Sequence, residues 1–197
     1  MNKQVLFIQG GGEAGYAEDA QLVASLQTEL GATYQVHYPR MPSNEALPDF
    51  GWLQQIHHEI TLIQGDVILV GHSLGASMLL KYLSEKQVRK NITGIFLLST
   101  PFWSGDENWV QGLKLKEDFA DKLPEKVPVF LYHCRDDEEV SFDHLALYQQ
   151  KLPDAAIRQI ETGGHQLNND LSMVAKNMKS LWKVTPTIAN CNKVRFF

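Results

Sequence analysis

Short hydrophobic runs recur along the chain at regular spacing and are separated by longer stretches with a different pattern. Several of the runs are continuous rather than alternating, which is typical of strands buried on both faces of a parallel sheet. The runs predict strands at Val5–Gln9, Tyr34–Tyr38, Val67–Val70, Ile92–Leu98, Val127–His133 and Ile157–Glu161.

The stretches between these runs have the period of helices. In the first stretch Leu22, Leu26 and Leu30 fall on one face, and Gly31 follows as a C-terminal cap. Because strand and helix alternate, we predict an α/β protein with a doubly wound, mostly parallel six-stranded sheet, helices on both faces and strand order 2-1-3-4-5-6. The helices are expected at Ala17–Leu30, Asp49–Ile63, Ser73–Leu83, Phe142–Leu152 and Asn169–Trp182.

Composition and charge fit this architecture and narrow the partners. The 197 residues are 44% hydrophobic and 21% charged, as in an ordinary globular protein with one core. A net charge of −5 and the lack of a basic run argue against nucleic acid and anionic membranes as partners. Cys134 and Cys191 are too few for a disulfide framework, and no apolar run is long enough for a signal peptide or a membrane span. We therefore expect a cytoplasmic protein that acts on a small molecule.

The junction after the third predicted strand carries the clearest chemical signal. Val67–Val70 runs directly into Gly71-His72-Ser73-Leu74-Gly75, where a helical pattern begins. This is the G-x-S-x-G nucleophile elbow, which holds a serine on a tight turn with its hydroxyl clear of the sheet. Glycine is needed two residues to either side because a side chain there collides with the turn. The Leu74 N–H at the helix start can donate to the oxyanion that forms when Ser73 attacks a carbonyl.

A serine hydroxyl needs a base and an orienting carboxylate to act as a nucleophile at neutral pH. Asp136 and Asp137 follow the fifth predicted strand, and His165 follows the sixth on a glycine-flanked loop. The order serine, aspartate, histidine on strand-end loops is that of an α/β-hydrolase. Adjacent aspartates point in different directions, so the order alone leaves open which of the two is the acid.

From Val5 to about Trp182 the chain resembles the small, nearly lidless α/β-hydrolases of the family that includes the retinoblastoma-binding serine hydrolase and the bacterial YdeN-like proteins. The motifs that carry the resemblance are Gly71–Gly75, the Asp136-Asp137 loop and Gly164-His165-Gln166-Leu167. The resemblance implies esterase or amidase-type activity on small substrates, with no metal and no organic cofactor.

The same resemblance chooses between the two aspartates. The loop is similar to the D-x-x-V pattern of many α/β-hydrolases, which implies that Asp137 is the acid, three residues before Val140. Asp136 then remains as a solvated loop residue. Ser141 stands where many of these hydrolases have proline, and this departure leaves the choice of Asp137 unchanged.

A second oxyanion donor is expected from the loop after the first strand. Gln9-Gly10-Gly11-Gly12 resembles the His-Gly-x-x loop of the superfamily, with Gln9 in place of the histidine, which implies the N–H of Gly11 or Gly12 as the donor. The same loop also spells Gly10-x-Gly12-x-x-Gly15, the dinucleotide-binding fingerprint.

That fingerprint supports an NADP-dependent reductase as an alternative. It expects an acidic residue at the end of the second strand, where this chain has none, although Arg40 can meet a 2′-phosphate. The reductase interpretation leaves the elbow, the Asp137 loop and His165 unexplained.

The residues thus predict a serine hydrolase that cleaves small esters, amides or thioesters through an acyl-serine intermediate, with Ser73, Asp137 and His165 as its triad. A further alternative is a non-catalytic protein-binding module on a hydrolase scaffold. No proton-transfer role is expected for His72, and protein partners stay unknown.

The segment Ser99–Glu125 is longer than a simple connection and contains Phe102, Trp103 and Trp109. It forms either a small cap that lends these aromatic residues to a substrate pocket or an ordinary crossover helix that packs them in the core. Glu13, beside the oxyanion loop, is a candidate contact for a cationic substrate group. We expect one domain over residues 1–183 and a C-terminal tail over 184–197.

Overall fold

Six parallel strands form the centre of the molecule in a computed structural model, which describes residues 2–103 and 111–182. The strands are β1 (Lys3–Ile8), β2 (Tyr34–His37), β3 (Val67–His72), β4 (Ile92–Leu98), β5 (Val129–Cys134) and β6 (Ala156–Ile160). Their order in the sheet is β2-β1-β3-β4-β5-β6, and each neighbouring pair is parallel. The predicted strand order is therefore confirmed.

Helices connect the strands at nearly the predicted positions. They are α1 (Gly15–Glu18), α2 (Ala20–Leu30), α3 (Trp52–Leu62), α4 (Leu74–Glu85), α5 (Asp143–Lys151) and α6 (Ser172–Ser180). The single helix expected over Ala17–Leu30 is wrong, because α1 and α2 are separate and meet at Asp19. The reason is tertiary: the buried Asp19 carboxylate accepts a hydrogen bond from the N–H of Gly10 at 2.7 Å, so this position serves the loop after β1.

The hydrophobic core lies in two layers, one on each face of the sheet. Successive β3 residues alternate between them, with Leu69 in one layer and Ile68 and Val70 in the other. Helices α3, α4 and α5 cover the first face, and α2 and α6 cover the second. The prediction of helices on both faces is confirmed, and the sheet's carboxyl edge is left to the loops.

The described part of the connection between β4 and β5 is not the crossover helix of the second predicted form, and the small cap over the site stays a prediction. Residues 99–103 and 111–125 contain turns and a short 3-10 helix, Ala120–Lys122, but no α-helix. Leu113, Leu115 and Phe119 from this connection are buried in the core.

Parts of two predictions lie outside the described residues. These are Trp109 in the connection and the tail over 184–197, so the division into a domain of 1–183 and a tail stays a prediction. None of the helices in 2–103 and 111–182 has the length and apolar character needed to cross a bilayer.

Candidate active site

Ser73 stands alone between β3 and α4 in a backbone conformation that side chains rarely adopt, with φ of 49° and ψ of −123°. The flanking glycines allow this turn. A Cβ on Gly71 would lie 2.5 Å from the Cα of Ala76, and one on Gly75 would overlap the carbonyl oxygen of Gln9. The local backbone is thus the strained strand-to-helix turn that the G-x-S-x-G pattern predicts.

The glycine loop after β1 lies directly against this turn. A Cβ added to Gly10 would lie 3.5 Å from the Cβ of Ser73, and one added to Gly11 would lie 2.9 Å from Cδ2 of Leu74. Leu74 is the first residue of α4, where the N–H groups have no partner within the helix. The loop therefore lies beside the elbow, and Gly11 and Gly12 line the same cavity as Ser73 and Leu74.

His165 and Asp137 form a close pair at the ends of β6 and β5. His165 Nδ1 is 3.0 Å from both carboxylate oxygens of Asp137, whose side chain is fully buried. Asp137 Oδ1 also accepts the N–H groups of Glu139 at 3.0 Å and Val140 at 2.8 Å. The bond from the Val140 N–H closes the loop around the acid, and the Val140 side chain is buried.

Asp137 stays ionised in this environment. Burial alone would raise the pKa of Asp137, but hydrogen bonds from His133, His165 and the Val140 N–H outweigh it and hold the pKa well below its usual range. An ionised carboxylate only accepts, so Nδ1 of His165 carries the proton and donates it to Asp137. This orientation leaves Nε2 as the ring nitrogen that can take a proton, as a general base requires.

Asp136 is more than the solvated loop residue that was expected. Although exposed, its Oδ1 accepts the N–H groups of Gly163 and Gly164, both at 2.9 Å, and Glu138 Oε2 accepts the N–H of His165 at 3.2 Å. The two acids after β5 that flank Asp137 therefore hold the backbone of the His165 loop. The sequence does not reveal this role, because main-chain partners leave no mark in it.

Ser73 and His165 line one cleft of about 810 Å³ at the carboxyl edge of the sheet. Gly11, Gly12 and Leu74 are also among its lining residues. Part of the wall is apolar, contributed by Phe50, Trp103 and Leu113, and part is acidic, contributed by Glu18, Glu138 and Glu139. A cavity of this size and mixed character suits a small organic molecule.

The predicted pocket residues are divided by the structure. Trp103 lines the cleft, and its Nε1–H donates to Ser77 Oγ at 3.1 Å. Phe102 instead packs against the core, edge-on to Tyr148 with ring centroids 5.1 Å apart. Glu13 is exposed and is not among the residues that line the cleft.

Sequence reasoning missed His144 as a cleft residue. Its Nδ1 accepts the N–H of Phe102 at 2.9 Å, and burial together with the nearby His133 lowers the pKa of His144. The ring is therefore neutral near pH 7, with its remaining proton on Nε2 as a donor. Its position directly after the acid loop, at the start of α5, was the available signal.

Two other histidines near the site were also missed. His133 Nε2 lies 2.9 Å from the carbonyl oxygen of Val140 and 3.3 Å from Asp137 Oδ2. His72, which was expected to have no proton-transfer role, pairs with Asp19 beneath the elbow. Within the described ranges, no three His, Cys, Asp or Glu side chains are grouped so that they could hold a metal ion.

Comparison with protein families agrees with this geometry. The family model described as serine hydrolase matches residues 19–173, which is well over half of the chain. The chain belongs to the serine hydrolase family. The match includes Ser73, Asp137 and His165, and it begins at Asp19.

Individual relatives support the same assignment for this serine hydrolase. The proposed hydrolase YdeN of Bacillus subtilis (strain 168) is 26% identical over 124 residues, which are 60% of this chain and 63% of YdeN. The alignment thus spans less than two thirds of the curated relative's length. The resemblance to YdeN-like proteins is confirmed.

Solved structures show the fold of this serine hydrolase. The ydeN gene product of B. subtilis superposes with a TM-score of 0.68 and 24% identity, covering 93% of this chain and 100% of that one. A serine hydrolase involved in carbazole degradation, the CarC enzyme, gives a TM-score of 0.71 at 15% identity over 93% and 92% of the two chains. The predicted α/β-hydrolase fold is confirmed.

Proposed function

We propose that this serine hydrolase cleaves small esters, and related amides or thioesters, through a covalent acyl group on Ser73. The observation that carries the proposal is the buried Asp137–His165 pair, joined at 3.0 Å, on the same cleft as a serine in a strained elbow. An ionised acid, an oriented imidazole and a serine hydroxyl on the cleft are the parts that acyl transfer to water requires.

The chemistry follows from these positions. His165 Nε2 takes the hydroxyl proton of Ser73 while Oγ attacks the substrate carbonyl carbon, and Asp137 stabilises the imidazolium that forms. The N–H groups of Leu74 and of Gly11 or Gly12 hold the oxyanion of the tetrahedral intermediate. The bond to the leaving group then breaks as His165 gives that group its proton. Water, deprotonated by His165, attacks the acyl carbon and releases the acid, and the proton returns to Ser73.

The cleft favours a substrate with an apolar part and without negative charge. Trp103 and Leu113 offer an apolar wall, while Glu18 and Glu139 bring carboxylates to the same cavity. Like charges repel in a cleft with low-dielectric walls, so an anionic acid or alcohol part is disfavoured. Neutral and cationic esters are the class that this lining accepts.

Two other functions have less support. A dinucleotide site needs the glycine loop for a pyrophosphate, but Gly10 and Gly11 pack against the elbow at Ser73 and Leu74. Arg40, the candidate for a 2′-phosphate, stacks its guanidinium on the ring of Tyr16 at 5.0 Å. A binding module on this scaffold has no need of the ionised, fully buried Asp137 beside an oriented histidine, since burying charge is costly.

The proposal is tested by the hydrolysis of 4-nitrophenyl acetate. We expect Ser73→Ala and His165→Ala each to lower kcat by three or more orders of magnitude, roughly as in other triads. Matched controls are Ser180→Ala and His58→Ala, which alter exposed residues outside the cleft and leave kcat unchanged. Equal rates for wild type and Ser73→Ala would contradict the proposal.

A further inference from the structure

Asp19 and His72 form a buried pair directly beneath the elbow. His72 Nδ1 lies 2.9 Å from Asp19 Oδ1 and 3.0 Å from Oδ2, and each side chain is only 1% exposed. The two residues are 53 positions apart and come from the start of α2 and the end of β3. Neither is among the residues that line the cleft.

The other side of the His72 ring faces the loop of the proposed base. His72 Nε2 is 3.0 Å from the carbonyl oxygen of His165, and the two rings lie 4.7 Å apart between centroids. Ser99 Oγ donates to the same carbonyl oxygen at 2.9 Å. Two side chains at the edge of the sheet, those of His72 and Ser99, therefore bond the main-chain carbonyl of His165.

Both nitrogens of His72 thus face groups that accept hydrogen bonds. A neutral imidazole has one donor and one acceptor nitrogen, so it can bond the carboxylate or the carbonyl but not both. Both bonds form when the ring carries a proton on each nitrogen. Burial would raise the pKa of Asp19, but the bonds and charge of His72 and the Gly10 N–H outweigh it and lower that pKa, so the partner is an anion.

Asp19 contacts the loop after β1, on the other side of the site from His165. Its Oδ2 accepts the N–H of Gly10 at 2.7 Å, at the start of the proposed oxyanion loop, and its Oδ1 accepts from Gln166 Nε2 at 3.2 Å. The pair is consequently a bridge with the oxyanion loop at one end and the backbone of His165 at the other.

We propose that Asp19 and protonated His72 are a buried ion pair that positions the oxyanion loop and the His165 loop relative to Ser73. The role rests on the proposed function, since it concerns the same reaction. Asp19 and His72 are positioning residues that act through Gly10 and His165. Positioning should stabilise the transition state, because the oxyanion donors and the base must act on it at the same time. It should affect substrate binding much less.

Kinetics of Asp19→Asn and His72→Gln test this role with 4-nitrophenyl acetate. Each variant is nearly isosteric and breaks the ion pair. We expect kcat to fall about 10²-fold, as for a small misplacement of catalytic groups, while KM changes by less than about threefold. The double variant is expected to be no worse than the poorer single variant, because both changes remove one bridge. Additive losses, or an unchanged kcat, would overturn the proposal.

Matched controls separate positioning from general stability. Asp49→Asn and His57→Gln also weaken structural hydrogen bonds, because the Asp49 carboxylate accepts the N–H groups of Gly51 and Leu53, and His57 Nδ1 bonds the hydroxyl of Tyr82. These controls are expected to keep kcat while losing some thermal stability. A comparable fall of kcat in the controls would show that the loss in Asp19→Asn and His72→Gln is a stability effect.

Nitrogen NMR of the wild type provides a test that needs neither activity nor a stable variant. Both ring nitrogens of His72, assigned by comparison with His72→Gln, are expected to be protonated at pH 7. One protonated and one bare nitrogen would overturn the ion pair. An inactive wild type would reject the proposed function and the positioning role together, whereas an active wild type with an unchanged kcat in Asp19→Asn would reject the positioning role alone.

Discussion

The Asp137 carboxylate accepts hydrogen bonds from several donors, and these bonds determine the effect of a substitution at this position. The residue bonds His165, the N–H groups of Glu139 and Val140, and His133. An amide in its place offers one acceptor and one donor group, so it cannot satisfy the same set. Asp136, its neighbour, accepts only backbone N–H groups, which an amide oxygen also accepts.

We therefore expect unequal effects from the two isosteric changes. Asp137→Asn removes the negative charge and the tautomer control of His165, and its kcat should fall about 10⁴-fold. Asp136→Asn keeps an oxygen for Gly163 and Gly164, and its kcat should fall by less than about tenfold. Steady-state hydrolysis of 4-nitrophenyl acetate measures both. Near-equal losses would show that the acid is wrongly assigned.

The ionisation of Asp137 also predicts how stability depends on pH. Its folded pKa lies below the unfolded value of about 3.9, so its contribution to the free energy of unfolding is complete above that value. The contribution is lost as the pH falls from there towards the folded pKa, because the unfolded chain takes up the proton first.

Urea unfolding of wild type and Asp137→Asn between pH 7 and pH 3 measures this contribution. The difference in unfolding free energy is expected to be constant from pH 7 to about pH 5 and to narrow below about pH 4. A difference that stays flat down to pH 3 would mean that the folded pKa is not lowered.

The sequence could predict Ser73, Asp137 and His165 as candidates because each stands in a local pattern: the elbow, the D-x-x-V spacing and the glycine-flanked loop. The Asp19–His72 bridge has no local pattern, since its partners are 53 residues apart. His144 follows the acid loop directly in the sequence, but its bond to Phe102, 42 residues away, leaves no mark there. The site roles themselves stay predictions until the variants are measured.

At the scale of elements, strand ends were predictable and connections were less so. Continuous apolar runs mark β3 and β4 within two residues, because both faces of these strands are buried. The break between α1 and α2 at Asp19 and the absence of an α-helix in 99–103 and 111–125 were not predicted. Phe102 and Trp103 show why, since these adjacent aromatic residues both pack against the core but only Trp103 also lines the cleft.

The acidic part of the cleft wall comes from two different elements, and its charge predicts substrate choice. Glu18 lies in α1, and Glu139 lies in the loop after β5. Glu18→Gln with Glu139→Gln should raise kcat/KM for an anionic ester, 4-nitrophenyl hemisuccinate, several-fold by removing repulsion. The value for neutral 4-nitrophenyl acetate should change much less.

Salt provides the control for this prediction. Raising the ionic strength should narrow the difference in kcat/KM between the anionic and the neutral ester for the wild type, because salt screens charges in an open cleft. It should have little effect on that difference in the double variant. If the double variant changed kcat/KM by the same factor for both esters, relative to the wild type, the two carboxylates would act through structure rather than through charge.

The whole molecule explains why distant residues meet at one site. In a parallel sheet all strands end at the same edge, so the loops after β1, β3, β5 and β6 converge there. Alternation of strands and helices predicts a parallel sheet with one such edge, and the strand order expected for it is confirmed. How tightly the loops are tied together was not predictable, because Asp136, Glu138, Ser99 and His72 each bond the backbone of the His165 loop from a separate position.

This convergence makes an activated serine the central claim, and labelling by a fluorophosphonate probe tests it most directly. The purified wild type is compared with Ser73→Ala and with the control Ser180→Ala, and the labelled peptide is mapped. We expect a single labelled site at Ser73 that is lost in Ser73→Ala and retained in Ser180→Ala. A folded wild type that takes up no label, or that is labelled elsewhere, would contradict the proposed function.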